Sequence, residues 1–489
     1  MDSDQFLADA ESFSRAVNAE HYLAGAGLKE YLEISPIYER YVTLFEGERF
    51  SDIARWGFEP LEQRYLKEFV ASGYLENQTR TMREQYAAME SVATVNWDER
   101  PVAYRNVPIL IANEKDAVRR HDLELRSLEV LQSFNPVLEE RERRYQRGGR
   151  AFGSGDYVDL FDSLLDIDLA WLTQQLDGFI SRTDDLYFAA LDTYLREMSI
   201  LRDDARKCDL ARIFRAPQFD AMFPADRLLA TLHSSLRDLG IELEEQTNIR
   251  LDVAPRPLKS PRAFCCAVGV PDDVRLVLKP SGGAQDYEVL LHEAGHAEHY
   301  GNIDRSLCFA YRWLGDPSIT ESYAFLFEYL MHDPRWLERN LAIERPDSFF
   351  HLAGFHKLYF LRRYGTKLRY EQLLHRADEP GDLAAVYDQM LSGALGVTYG
   401  PEGYLADVDP GLYAAEYLRA WIFESQLRQY LKREFDEDWF RNPRAGRFLI
   451  ELWRDGQRNP VKGLAGFMGF EGLDLGPLTE EVLGLVSAR

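Results

Sequence analysis

Apolar positions recur at helical spacing along most of the chain. Over residues 1–90, and again from 114 to 240, they fall on one face of successive amphipathic segments, as in surface helices that bury one side. Glycines interrupt the first of these stretches at Gly25, Gly27 and Gly47. Apolar stripes of this kind are typical of ordinary core packing, so the pattern predicts a mainly α fold.

A different pattern occupies residues 248–280, where short apolar segments are separated by turn-forming residues. It predicts short strands at 248–253, 262–268 and 273–280, separated by turns that contain Pro or Asp. Residues 91–113 are also rich in β-branched and aromatic residues and predict a hairpin or an irregular crossing. The glycine-rich segment 147–156 is a predicted flexible break.

The segment DYEVLLHEAGHAEHY, residues 286–300, contains the motif H-E-x-x-H. On a helix, His292 and His296 lie one above the other, so that both imidazoles can bind one metal ion. Glu293 then lies beside them, placed to act on a metal-bound water. Asp286 is the predicted N-cap of this helix, and Gly301 its predicted end.

A third ligand is predicted in the segment DPSITESYAFLFEYL, residues 316–330. Asp316 followed by Pro317 is typical of an N-cap and a first helical position, which puts Glu321 in the first or second turn. Catalytic zinc takes three protein ligands and keeps one open position for water. Glu321 therefore completes a His-His-Glu set. Glu328, seven residues later on the same face, is a predicted partner for a ligand imidazole, and His299 is predicted to be a hydrogen-bonding neighbour.

The block GGAQDYEVLLHEAGHAEH, with a Glu 25 residues after the second His, resembles the thimet oligopeptidase and oligoendopeptidase F group of zinc peptidases, which are gluzincins. The resemblance spans roughly residues 250–430. It implies one zinc ion held by His292, His296 and Glu321, with Glu293 as general base. It also implies a two-lobed helical fold around a deep substrate channel. We expect residues 1–247 to form an N-terminal helical lobe and one channel wall, and residues 248–489 to form the catalytic lobe.

In the resembled group, a short sheet beside the zinc helix offers its edge to the peptide, which adds to it as a strand. The segment 262–268 is that edge by position, and its residues Arg262, Ala263, Phe264 and Cys265 become candidate substrate contacts. Gly282 and Gly283, in the turn before the zinc helix, are expected to let a substrate backbone approach closely. The plainer alternative is a sheet that only buttresses the helix.

The resemblance also implies a tyrosine-rich helix whose phenols donate to the oxyanion. Tyr413 and Tyr417 match that helix. The chain departs from the group at Ala420, where another tyrosine is usual, and at Val408, where a histidine is expected. These departures indicate a divergent member, and each tyrosine has a core-residue role as its alternative.

Charge and composition limit the kinds of molecule that we expect the protein to bind. The chain has 57 basic and 81 acidic residues, a net charge of −24, which argues against nucleic acid as a partner. No apolar run approaches the ~18 residues that a membrane span needs. The acidic N-terminus lacks the features of a secretory signal, and the four cysteines show no metal-site spacing. We therefore expect a cytoplasmic protein with reduced thiols; its oligomeric state is unknown.

Together these features predict zinc-dependent hydrolysis of short peptides, with Glu293 activating a zinc-bound water. One alternative is a zinc carboxypeptidase, in which Arg419 holds the terminal carboxylate of the substrate. Another is a non-catalytic protein that keeps the metal for structure. The intact Glu293 argues against the latter, because a structural site needs no general base.

Overall fold

The computed structural model describes residues 1–344 and 347–487, and within them the chain is mainly helical, as the apolar pattern predicts. In chain order the helices are α1 (Ser3–Gly25), α2 (Ser35–Arg40), α3 (Gly47–Arg55), α4 (Pro60–Val92), α5 (Val107–Asn113), α6 (Ala117–Gly149), α7 (Tyr157–Leu165), α8 (Leu169–Glu197), α9 (Lys207–Arg215), α10 (Leu228–Asp238), α11 (Ala284–Asn302), α12 (Phe309–Trp313), α13 (Pro317–Glu328), α14 (Pro334–Leu341), α15 (Asp347–Leu374), α16 (Ala384–Leu395), α17 (Tyr413–Phe435), α18 (Pro443–Arg454), α19 (Val461–Phe467) and α20 (Gly476–Ser487). The strands are β1 (Thr94–Trp97), β2 (Arg100–Ala103), β3 (Ile249–Asp252), β4 (Phe264–Gly269) and β5 (Asp273–Val277).

Two compact units divide the chain, and each is built from three separate segments. The first unit comprises Met1–Val70, Pro217–Asp347 and Glu416–Glu480. The second comprises Ala71–Ala216, Ser348–Ala415 and Glu481–Arg489. The single boundary at residue 247 remains a prediction, and the observed units alternate along the sequence instead of following one cut.

The first unit contains the three predicted short strands in one sheet, in the order β3-β5-β4. β3 pairs with β5 in parallel, and β4 pairs with β5 antiparallel, with an irregularity between Ala267 and Gly269. β4 is therefore an edge strand, as the resemblance implies. Helix α11 packs on β4 and β5, and α13 packs on α11. This stack of sheet and two helices carries the candidate site.

Packing between α11 and α13 depends on a glycine. A Cβ added at Gly295 would lie 2.6 Å from Ala324 Cα and 2.6 Å from Tyr323 O. Real Cβ atoms do not approach backbone this closely, so only glycine allows this contact. Gly295 lies between His292 and His296, and the close contact brings α13 against the face that carries both histidines.

The second unit contains the predicted hairpin. β1 and β2 pair antiparallel, with Val95 opposite Val102, and the rest of the predicted stretch forms helix α5. The break predicted at residues 147–156 is present, because α6 ends at Gly149 and α7 begins at Tyr157. Helices account for most other described residues of this unit.

Candidate metal centre

Helix α11 begins three residues earlier than the sequence predicts. Its N-cap is Gly283 rather than Asp286, which corrects that prediction. Gly282 and Gly283 have φ angles of 84° and 92°, a conformation that favours glycine and turns the chain directly into the helix. The Asp286 carboxylate accepts from the backbone N–H groups of Ser281 and Gly282 and so stabilises the preceding turn.

Helix α13 begins as predicted. The Asp316 side chain accepts from Ser318 N–H, and Pro317 occupies the first turn. Glu321 consequently falls in the second turn and is buried. Because Asp316 and Pro317 mark where the helix starts, the local sequence predicts the turn of α13 in which Glu321 falls.

The structure brings three candidate ligands together, and we call His292, His296 and Glu321 the metal triad. Glu321 Oε2 lies 3.4 Å from His292 Nε2 and 3.7 Å from His296 Nε2. One ligand atom from each residue lies within 4.8 Å of the other two. Two imidazole nitrogens and one carboxylate oxygen at such distances suit a zinc ion with one position left for water.

The other ring nitrogens already have partners. His292 Nδ1 lies 2.9 Å from Glu328 Oε2, the partner that the sequence predicts. Because a carboxylate only accepts, this nitrogen carries the hydrogen. His296 Nδ1 lies 2.8 Å from Thr320 Oγ1, a partner that sequence analysis missed. Both Nδ1 atoms are thus bonded away from Glu321, while both Nε2 atoms lie beside its carboxylate.

Charge at the metal triad also favours a cation. Burial lowers the pKa of His292, but the carboxylates of Glu321 and Glu328 outweigh burial and raise it to about 10. His296 behaves differently, because burial there dominates and lowers its pKa. The same negative charge that stabilises a proton on His292 stabilises a divalent metal ion at the same place. The donor set and its charge therefore fit zinc.

Glu293 faces the edge strand. Its Oε2 accepts a hydrogen bond from the backbone N–H of Cys265 at 2.8 Å. The Cys265 N–H therefore points away from β5 and toward α11. Phe264 and Cys265 open strand β4, whereas Arg262 and Ala263 precede it in the loop, the former exposed and the latter buried. The candidate base and the candidate substrate edge are therefore neighbours.

Helix α1 covers the far part of the same edge. Asn18 Nδ2 donates to the carbonyl of Ala267 at 2.7 Å. A Cβ at Gly25 would lie 2.6 Å from the ring of Phe264, so α1 packs closely along this strand. An added strand would have to pair with β4 beside Cys265, because the Ala267 carbonyl is already bonded.

Other predicted site residues lie further from the metal triad. His299 is fully buried, with its ring 5.0 Å from that of Tyr323, and burial lowers its pKa to about 3. The ring of Tyr417 lies 5.7 Å from that of Phe325, which in turn lies 5.0 Å from His292. Tyr413 begins helix α17 and belongs to the second unit.

Arg419 cannot hold a substrate carboxylate. The residue is 1% exposed, and its guanidinium donates to Asp316 and to Glu416. Both acids lie in the core with it. The role that the carboxypeptidase alternative gives to Arg419 is therefore wrong, because the side chain is already paired and is inaccessible to a peptide terminus.

A second group of potential ligands lies in the second unit, and we call His121, Cys208 and Asp209 the His121 group. Asp209 accepts from Arg120 Nε at 2.9 Å and from the backbone N–H of Arg206 at 2.9 Å. Burial raises the pKa of the Cys208 thiol. A carboxylate neutralised by arginine and a protonated thiol make a poor metal site.

Sequence reasoning missed two residues of the centre. Thr320 is adjacent to Glu321, but a threonine beside a predicted ligand has no pattern of its own. Gly295 carries a signal, since glycine inside a helix costs about 1 kcal/mol relative to alanine and so calls for a packing reason. The reason is the contact with α13, which becomes visible only in the folded chain.

None of the helices in the described part of the chain combines the length and apolar character that crossing a bilayer requires. No protein-family model and no curated protein sequence matches the chain. Two solved structures are similar to it over nearly its whole length. One, provisionally designated oligoendopeptidase F, is 16% identical and has a TM-score of 0.68, with 97% of this chain and 89% of that chain covered.

The other, from Bacillus anthracis str. Ames and with the same provisional designation, is 16% identical and has a TM-score of 0.67. It covers 98% of this chain and 89% of its own. At this identity the similarity establishes the fold and leaves activity to the site. The chain has the mainly α fold of the structures designated oligoendopeptidase F.

Proposed function

We propose that the protein is a zinc-dependent peptidase that hydrolyses short peptides, with the metal triad as its ligand set. One observation carries the proposal: the Nε2 atoms of both histidines lie within 3.7 Å of one buried carboxylate oxygen of Glu321, while both Nδ1 atoms are bonded elsewhere. The shared fold with structures designated oligoendopeptidase F supports it.

Each residue has a distinct task in this proposal. Zinc, when bound, supplies a Lewis acid that lowers the pKa of its water to about 7. Glu293 accepts a proton from the attacking water and passes it to the leaving amine. Tyr417 donates a hydrogen bond to the developing oxyanion, and Tyr413, one turn earlier on α17, has a smaller part. Glu328 and Thr320 keep the ligand imidazoles in the productive orientation.

For the substrate, we propose pairing along the free part of the β4 edge. Cys265 offers its backbone beside Glu293, and the chain from Arg262 to Phe264 continues that edge. Gly282 and Gly283 have no side chains to obstruct a peptide backbone. Short peptides are the proposed partners. The four cysteines are free thiols, which is typical of a reducing compartment, so we assign the enzyme to the cytoplasm.

Glu293→Gln tests the reaction. The amide keeps the size of the side chain but cannot accept a proton, so peptidase activity should fall on the order of 10²–10⁴-fold while zinc content stays near one per chain. Digestion of a mixed peptide library, read by mass spectrometry, measures the activity. Glu298→Gln is the matched control, because Glu298 lies buried on the same helix and bonds Gln246 instead.

If Glu293→Gln retains full activity, the chemistry is elsewhere. If neither the parent nor the variant cuts any peptide while zinc is bound, the metal has a structural role.

Tyr417→Phe tests the oxyanion donor. Removing one such donor typically lowers kcat on the order of 10²–10³-fold, with little change in KM. Tyr413→Phe serves as the comparison and should have a milder effect. An unchanged kcat for Tyr417→Phe, with a small loss of melting temperature, would assign this tyrosine to the core.

A further inference from the structure

Three ionisable side chains meet in the core of the first unit, where helix α13 begins against the first turns of α17. We call Asp316, Glu416 and Arg419 the buried charge cluster, and each is at most 2% exposed. Arg419 Nη2 donates to Asp316 at 3.0 Å, and its Nη1 donates to Glu416 at 3.1 Å. The glutamate is also hydrogen-bonded to the aspartate.

The cluster has one cation and two carboxyl groups. Two ionised carboxylates would leave an uncompensated negative charge in the core, which is strongly unfavourable. Asp316 is the ionised one, because it accepts from the backbone N–H and the hydroxyl of Ser318 as well as from Arg419. Glu416 keeps its proton and donates it toward Asp316.

The directions of the pKa shifts agree with this assignment. Burial and the neighbouring Asp316 charge raise the pKa of Glu416 well above its usual range. Burial alone would raise the pKa of Asp316 too, but Arg419 and the hydrogen bonds from Ser318 outweigh burial and lower it.

Asp316 is also the N-cap of α13, the helix that carries Thr320, Glu321 and Glu328. The contacts that hold Asp316 therefore help to fix the position of the first turn of α13 and the direction of Glu321. Ser322 provides a second contact between α13 and α17, since its hydroxyl lies 3.2 Å from the carbonyl of Ala420. A metal ligand must be held to a fraction of an ångström, and such precision depends on buried partners of this kind.

We propose that the buried charge cluster is the positioning device of the zinc site: Arg419 and a protonated Glu416 clamp Asp316, and α13 is thereby held where Glu321 completes the metal triad. This inference rests on the proposed zinc function. The three residues are positioning residues, because they act through α13 and do not touch the metal.

The test compares variants of the cluster by zinc affinity and by melting temperature of the zinc-free protein at pH 7. Glu416→Gln keeps a donor in place of the neutral acid, so zinc affinity should stay within about twofold of the parent. Glu416→Leu and Asp316→Asn release the clamp, and zinc affinity should fall about 10–100-fold, as for other residues that orient ligands. Competition with a fluorescent zinc chelator measures the affinity.

Asp209→Asn is the matched control, because Asp209 forms an equally buried pair with Arg120 in the second unit. It should lower the melting temperature and leave zinc affinity unchanged. If Asp316→Asn does not fold, the two Glu416 variants decide by themselves.

The inference is overturned if the folded variants all bind zinc as the parent does, or if Glu416→Gln is as weak as Glu416→Leu. A parent chain that binds no zinc at all overturns the proposed function, and the inference with it.

Discussion

The metal triad and the His121 group both combine histidine with a carboxylate. In each group, one ligand atom from each of three residues lies within 4.8 Å of the other two. They differ in what else the ligands bind. At the metal triad, two further groups, Glu328 and Thr320, take the Nδ1 atoms and leave the Nε2 atoms directed at Glu321. In the His121 group, Nε2 of His121 is itself bonded to Asp209 at 2.9 Å.

The charged residues around the two groups also differ. Glu321 and Glu328 surround His292 with negative charge, whereas Arg120 supplies a buried cation to Asp209. A cluster of ligand-type residues therefore indicates a metal only when its surroundings leave the donor atoms grouped together and a negative charge available. Proximity of ligand-type atoms does not by itself separate the two groups.

Removing a ligand should have the largest effect and separate the two groups. His292→Ala, His296→Ala or Glu321→Ala should each reduce zinc from about one per chain to nearly none and abolish peptidase activity, because three ligands are the minimum for a catalytic site. Metal analysis by mass spectrometry of the purified protein measures the content. Cys208→Ser and Asp209→Asn are the controls and should keep the parent zinc content. Full zinc in Glu321→Ala would remove that residue from the site.

Arg120→Met should have the next largest effect, on stability alone. It leaves the Asp209 carboxylate buried without its cation, which typically costs about 3–5 kcal/mol of unfolding free energy. Denaturant unfolding followed by circular dichroism measures the loss, while zinc content should stay at one per chain. Gain of a second zinc ion in this variant would contradict the bonding difference between the two groups. It would mean that only Arg120 keeps metal out of the His121 group.

Gly295→Ala should have an intermediate effect on the metal triad. The added Cβ forces α13 away from α11, at a cost of about 1–3 kcal/mol in stability, and it moves Glu321 away from the histidines. Zinc affinity should fall with it. The matched control is Gly178→Ala on helix α8, where an added Cβ meets nothing within 4 Å and should stabilise the helix slightly. Equal zinc affinity in the two alanine variants would contradict the helix-contact argument.

Thr320→Val should have the smallest effect. Valine keeps the shape of the side chain but removes the oxygen that bonds His296 Nδ1, so zinc affinity should fall about tenfold while the fold survives. Chelator competition measures this change. Thr79→Val is the control, since its buried hydroxyl lies in the second unit and donates to carbonyl groups of its own helix. A normal affinity in Thr320→Val would leave Glu328 as the sole orienting partner.

Local rules made several features of the centre predictable from sequence. Residues four apart on a helix share a face, so the spacing of His292 and His296 determines that both imidazoles can meet one ion. The pair Asp316–Pro317 starts a helix, and that start determines the turn in which Glu321 falls. The mainly α character and the short strands likewise follow from hydrophobic periodicity, which needs only neighbours in the chain.

The features that only the tertiary structure decided depend on residues far apart in sequence. Arg419 lies 103 residues from Asp316, and its burial is a property of packing that no local pattern carries. The same holds for the division of the chain into units of three segments each, and for the choice of Gly283 over Asp286 as the cap of α11. By itself, then, the sequence determined which residues can bind a metal. Only the tertiary structure decided which of them place both imidazole Nε2 atoms beside one carboxylate, because that depends on what the fold packs against the other side of each ring.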